Sequence, residues 1–207
     1  MKIFPKTKRL FCKEYWRNTK NKAANNYVEW QGTLCSVNRK LLTGEGFSLQ
    51  EFKEHYGISL DKLILQTDHE FKRLKKTKKE MVVYRGIAKP NENAHPLLKK
   101  LYEKSLNLKA NEKTRVRGYT FAAFDRDFAE MFFKIRGKSG ILFEITIPKN
   151  AQVSTRWDEV VTRRCSEFLC TESKEASYDK ANYTIKKMRY IIPKDNHKNW
   201  FRRLFCR

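Results

Sequence analysis

A short apolar run, Met81-Val82-Val83-Tyr84, delivers an arginine and then a glycine, Arg85-Gly86. An arginine at the end of a buried strand is costly unless it meets an anion, and its fork of donors suits a phosphate. A glycine beside it lets a flat or charged ligand approach the backbone. Further along, Glu167 opens the apolar run Phe168-Leu169-Cys170 after a polar stretch, 156–166. The apolar run that follows directly favours Glu167 as the carboxylate of a site, over the nearby alternatives Glu159, Glu172 and Glu175. The stretch before it holds Arg156, Trp157, Arg163, Arg164 and Cys165. A tryptophan among arginines suits a splayed base and its phosphates, or else is a surface loop with the ring tucked beneath it.

The elements that must hold these groups follow from periodicity. Residues 27–43 and 60–74 carry apolar residues at helical spacing, and Ser48-Leu49-Gln50-Glu51 reads as a capping box between them, with Ser59 capping the second helix. The first 80 residues therefore read as mainly helical. The Arg85 strand follows, then a helix opened by Pro96 with Leu97, Leu98 and Leu101 on its face. Tyr119-Thr120-Phe121 reads as a strand. Asp125 caps a helix expected to face Phe128, Met131 and Phe132 inward. Ile141–Ile147 is the strongest strand, Glu167–Thr171 is a short one, 172–180 is a polar loop, and 183–193 is extended again. Helices first, then strands broken by short helices, define an α+β fold.

The chain has 207 residues and a net charge of +22. Such a field attracts polyanions (RNA, DNA, ribosomes or acidic membranes), nucleic acid or a nucleoprotein foremost, and makes binding salt-dependent. No apolar run is long enough to span a membrane, and the start lacks the apolar region of a secretory signal. The five cysteines are scattered without a Cys-x-x-Cys pair, so neither a metal site nor a disulfide framework is expected, and a reducing cytoplasm fits. The histidines His55, His69, His95 and His197 show no acid–base partners, which leaves a ribonuclease little to stand on. A passive basic RNA-binding protein is the other reading from charge alone.

Three segments occur in a telling order: Tyr84-Arg85-Gly86, then Tyr119-Thr120-Phe121-Ala122-Ala123-Phe124-Asp125 with its aromatic helix, then Cys165-Ser166-Glu167-Phe168-Leu169. Over about residues 27–193 this resembles the arginine–serine–glutamate class of mono-ADP-ribosyltransferases. That class includes C3-like and iota-like toxins, vertebrate ecto-enzymes and phage enzymes. The resemblance implies a helical lead-in, 27–80, and a split antiparallel sheet core, 81–193, between a basic arm, 1–26, and a basic apolar tail, 194–207. It implies NAD as co-substrate and no metal.

Arg85 would grip the NAD diphosphate, and Gly86 beside Tyr84 would meet the nicotinamide amide. Glu167 would stabilise the ribosyl cation. Phe121, Phe124 and Phe132 would wall the nicotinamide or form plain core. Two departures stand out. The family's serine falls at Phe121-Ala122-Ala123, where either Thr120 substitutes or other contacts serve. The second glutamate of arginine-modifying members falls at Cys165, which turns the expected acceptor towards a nucleobase. Similarity to RNA-modifying toxins of toxin–antitoxin systems implies an antitoxin or chaperone partner, with the tail around Trp200–Phe205 as its contact. The alternative acceptor is a protein associated with nucleic acid.

Overall fold

The computed structural model describes residues 25–134, 139–156, 158–178 and 181–193. Most of the basic arm, Trp157 and the tail around Trp200–Phe205 lie outside the described residues. The chain forms two compact units, Met1–Leu74 and Lys75–Arg207.

The first unit is helical: α1 (Asn25–Thr43), α2 (Leu49–Tyr56) and α3 (Leu60–Arg73). The capping box opens α2, with the Glu51 amide donating to Ser48 Oγ at 3.1 Å and the Ser48 amide to Glu51 Oε2 at 2.7 Å. Gly57 ends the helix at φ 68°, a left-handed conformation that glycine adopts without strain. Ser59 stands at the start of α3, but its side chain makes no capping hydrogen bond. Leu60, Leu63, Ile64, Thr67 and Phe71 form the buried stripe of α3.

The second unit carries β1 (Met81–Ala88), α4 (Pro96–Leu106), β2 (Lys113–Val116), β3 (Thr120–Ala123), α5 (Arg126–Lys134), β4 (Gly140–Ile147), β5 (Ser154–Arg156), β6 (Glu159–Thr162), β7 (Ser166–Tyr178) and β8 (Ala181–Ile191). The strand order is β2-β7-β8-β4-β1-β3-β6-β5. Every pairing is antiparallel except β4 with β8. The sheet is split: β1 and β3 meet at a single register pair, Tyr84 opposite Ala123.

Two short connections, 117–119 from β2 to β3 and 163–165 from β6 to β7, join strands from opposite halves. Four peptide steps reach no more than about 15 Å. The two halves must therefore lie over one another as layers. Their shared core confirms it: Val83, Ile145, Phe168, Met188 and Tyr190 come from the five-stranded half, and Ala122 and Val160 from the three-stranded half. On the other face of the larger half, α5 sets Ala129 and Phe133 against Leu142, Tyr183 and Ile185, with Tyr84 alongside.

Several local expectations change. Polar residues within 156–166 and 172–180 read as loop, yet they supply β6 and the outer half of β7. β6 takes its order from pairing with β3 and β5, and the mostly exposed outer half of β7 from pairing with β8 out to Tyr178 opposite Ala181. On α5 the orientation differs too. Ala129, Glu130 and Phe133 are buried, while Phe128, Met131 and Phe132 are exposed.

Candidate active site

The split between β1 and β3 is where the chemistry-bearing residues gather. Val83 is fully buried in the core and anchors β1, and Arg85 follows two residues on, half-buried. Beyond Tyr84 opposite Ala123 no further register pair joins the two strands. Arg85 reaches across instead, its Nη1 donating to the Phe121 carbonyl at 3.2 Å. One edge of the guanidinium fork is thus set by backbone.

Gly86 explains why α5 can sit so close. A Cβ at this position would lie 1.8 Å from the Ala129 carbonyl oxygen and 3.4 Å from Phe132 Cβ. The glycine's structural task is this close approach of helix to strand. The same contact holds Phe132 beside the Gly86 backbone, and the residue is 56% exposed. Phe132 is therefore not core. It meets Phe128 edge-on with centroids 5.8 Å apart. Asp125 caps the helix as expected, its Oδ1 accepting from the Asp127 and Phe128 amides at 2.7 and 3.2 Å.

Glu130 was missed at the level of sequence. It is buried at 3% exposure between Arg126 Nε, at 2.8 Å, and Lys134 Nζ. Burial pushes its carboxyl upward, but hydrogen bonds from Lys134 and Arg126 outweigh that and hold it below the ordinary range.

The carboxylate expected at Glu167 is not brought to Arg85. β8 and β4 separate its strand from β1, and its register partner is Ile191 near the far end of β8. Strand spacing and rise put the two α-carbons roughly 20 Å apart. Glu167 pairs instead with Arg115 of the edge strand β2, at 3.3 Å.

Another carboxylate, Glu159, lies nearer to Arg85. Ala123, opposite Tyr84, is also opposite Glu159. Tyr84, Ala123 and Glu159 form one row across three adjacent strands, about 10 Å from end to end. The Phe124 amide, donating to the Asp158 carbonyl at 2.8 Å, fastens the start of β6 to the lead of α5. The β-branched run Val160-Val161-Thr162 directly after Glu159 was the signal for this strand in the sequence.

Thr120, expected as one substitute for the serine of the resembled class, stands on the face of β3 away from Glu159. Side chains alternate along β3, so Phe121 and Ala123 share a face with Glu159 while Thr120 leaves from the other. Thr120 is 3% exposed and its Oγ1 makes no hydrogen bond among the described residues. Arg156 lies opposite Glu159 on β5. Arg163 is half-buried and Arg164 buried in the turn from β6 to β7. Cys165 ends that turn at φ 57° and is disulfide-bonded, although the scattered cysteines led to no expectation of a disulfide framework.

A guanidinium, a bared strip of backbone with an exposed aromatic ring, and a carboxylate two strands away could together hold a phosphate, a flat ring and a developing cation. The fold is that of the ADP-ribosyltransferases. C3larvin toxin of Paenibacillus larvae, an ADP-ribosyltransferase, superposes with a TM-score of 0.56 at 15% identity, over 86% of this chain and 99% of that one. The ADP-ribosylating toxin BECa of a binary enterotoxin of C. perfringens, solved with NADH, gives 0.57 at 17% identity, over 89% of this chain and 45% of that one. The ADP-ribosyltransferase Vis, in complex with agmatine, gives 0.54 at 17% identity, over 86% and 79%. No family model matches the sequence, and no curated protein does.

Proposed function

We propose that the chain is a NAD-dependent mono-ADP-ribosyltransferase in which Arg85 holds the diphosphate and Glu159, not Glu167, serves the ribose. The row Tyr84–Ala123–Glu159 beside the Arg85–Phe121 bond carries this reading. The nicotinamide would lie in the split beside the Gly86 backbone, with the exposed Phe132 at its rim. Its bond to ribose C1′ breaks with the electron pair leaving on nicotinamide. Glu159 would accept a hydrogen bond from the ribose 2′-hydroxyl and stabilise the cation. The acceptor nucleophile then bonds to C1′ and gives up a proton.

For the acceptor we favour single-stranded RNA. Residues 75–193 hold 26 Lys and Arg against 14 Asp and Glu, an excess suited to a polyanion. With Glu159 in the catalytic role, the position two residues earlier is Trp157 rather than a second glutamate. An aromatic ring there suits a base better than a guanidinium. An enzyme that modifies RNA endangers its own cell, hence the expectation of a toxin with a neutralising partner protein.

The alternative acceptor, a protein, has its own support. Exposed Phe124 and Phe128 stand near Asp125, Asp127, Asp158 and Glu159, a surface suited to a basic apolar segment.

Incubation with NAD radiolabelled on the adenylate phosphate, together with total RNA and cell protein, separates these readings. Label on RNA is the expected result. Label on protein alone rejects the RNA acceptor. Glu159→Gln is expected to lower transfer at least 100-fold, while Glu167→Gln stays within a few-fold of the parent. The reverse pattern overturns the assignment of Glu159.

A further inference from the structure

The two connections that fold one half of the sheet over the other run side by side. Thr120 is paired with Thr162, and Val116 with Ser166. Between these two register pairs lie Arg117 on one connection and Arg163, Arg164 and Cys165 on the other. Cys165 Sγ lies 3.9 Å from the Arg117 carbonyl oxygen, so the two connections are neighbours in space. Arg115 and Lys113 of β2 continue the same edge and are exposed, as is Arg117. Arg163 is half-buried, and the buried Arg164 belongs to the turn itself. At this edge Arg115 is bonded to Glu167 at 3.3 Å. Residues 46 apart in the chain, Arg117 and Arg163, are thus brought to one place by topology.

We infer that this arginine edge binds the phosphates of a single-stranded nucleic acid acceptor, with Arg117 and Arg163 as its principal contacts. The inference rests on the reading of the chain as an RNA-directed transferase and supplies the surface that reading lacks. Arg163 follows directly on β6, four residues after Glu159, about 13 Å at strand rise. A base held at the carboxylate therefore places phosphates one or two nucleotides away on the arginines. Planar forks suit this task, since each can meet two phosphate oxygens at once. The acid-rimmed aromatics at the other end of β6 would repel phosphates, so the strand polarity of the site runs from Glu159 towards Arg163.

Binding is measured by fluorescence anisotropy with a fluorescein-labelled 12-nucleotide oligouridine, without NAD, from 50 to 200 mM salt. Arg117→Ala with Arg163→Ala is expected to weaken binding at least 10-fold. It should also flatten the slope of log K against log salt by about 1.4, at 0.7 per phosphate contact on a single strand. Arg117→Lys with Arg163→Lys should restore most of the slope, and Arg117→Ala alone should lose about half of it. Lys100→Ala with Lys104→Ala, which removes equal charge from α4, should leave affinity within twofold. An unchanged slope in both alanine variants overturns the inference. So does tighter binding of poly-glutamate than of oligouridine, which identifies an acidic protein as the ligand. Arginine-dependent binding without any transfer from NAD leaves this site standing and removes the enzymatic reading. Transfer to RNA that ignores both arginines does the opposite.

Discussion

Arg85 Nη1 is fixed by the Phe121 carbonyl, so the rest of its planar fork is oriented before any ligand arrives. A lysine cannot reproduce that arrangement, because a single ammonium cannot hold a backbone carbonyl and clamp two phosphate oxygens with one rigid plane. Arg85→Lys is expected to raise KM for NAD at least 10-fold with a smaller change in kcat, read from initial rates of nicotinamide release. An equal fall in kcat with KM unchanged would place Arg85 in the transition state rather than in binding. Arg85 was legible in the sequence because a charged residue closes an apolar run and a glycine follows. Glu159 was not singled out, although it precedes two valines and a threonine. The polar residues on either side hid a four-residue strand, and only the pairing of β3 with β6 reveals it. Thr120 shows the same limit in reverse. A shift of one residue along a strand changes the face, so proximity in sequence to the missing serine meant nothing.

The decisive element is α5. It is seated on β1 through Gly86 and on β4 through Gly140, where an added Cβ would meet Phe133 Cγ at 2.6 Å. Gly86→Ala is expected to displace the helix or lower stability by about 3 kcal/mol, at the upper end of overpacking costs. A denaturant midpoint equal to that of the parent would refute the close approach. The helix is also held by Glu130 between Arg126 and Lys134. Because the folded carboxyl titrates below its ordinary value of 4.5, the unfolded chain binds the proton more readily. The resulting stability is complete above that ordinary value and is lost as pH falls through the lower folded value. Glu130→Gln should cost about 2 kcal/mol at neutral pH, less than a fully buried pair because Arg126 is partly exposed, and should lessen the acid sensitivity of the melting temperature. The existence and type of the long elements were legible from periodicity. The outward stripe of Phe124, Phe128, Met131 and Phe132 was not, because α5 offers two apolar faces and Glu130 occupies the buried one. Reading its aromatics as inward was the ordinary inference, and a buried carboxylate paired with two partly exposed cations overrode it.

At the scale of the whole chain, charge is unevenly placed. Residues 1–24 carry eight Lys and Arg against one acid, residues 25–74 six against seven, residues 75–193 26 against 14, and residues 194–207 five against one. The described helical unit is thus close to neutral, and the positive field belongs to the sheet unit and the two ends of the chain. That distribution separates the two substrates of the proposed reaction by their response to salt. NAD carries a single diphosphate held at short range by a half-buried arginine, and salt screens such a contact weakly. A single-stranded RNA that neutralises about five of its phosphates on the protein releases that many counterions, and its affinity should fall roughly 100-fold between 50 and 200 mM salt. The expected outcome is therefore a split. Nicotinamide release in water alone should change by less than about threefold across that range, while labelling of RNA at subsaturating concentration collapses. Both are read from one reaction series, by nicotinamide release without RNA and by label on RNA with it. If RNA labelling holds steady while salt rises fourfold, the acceptor is recognised through uncharged contacts, and the +22 charge has no part in choosing it.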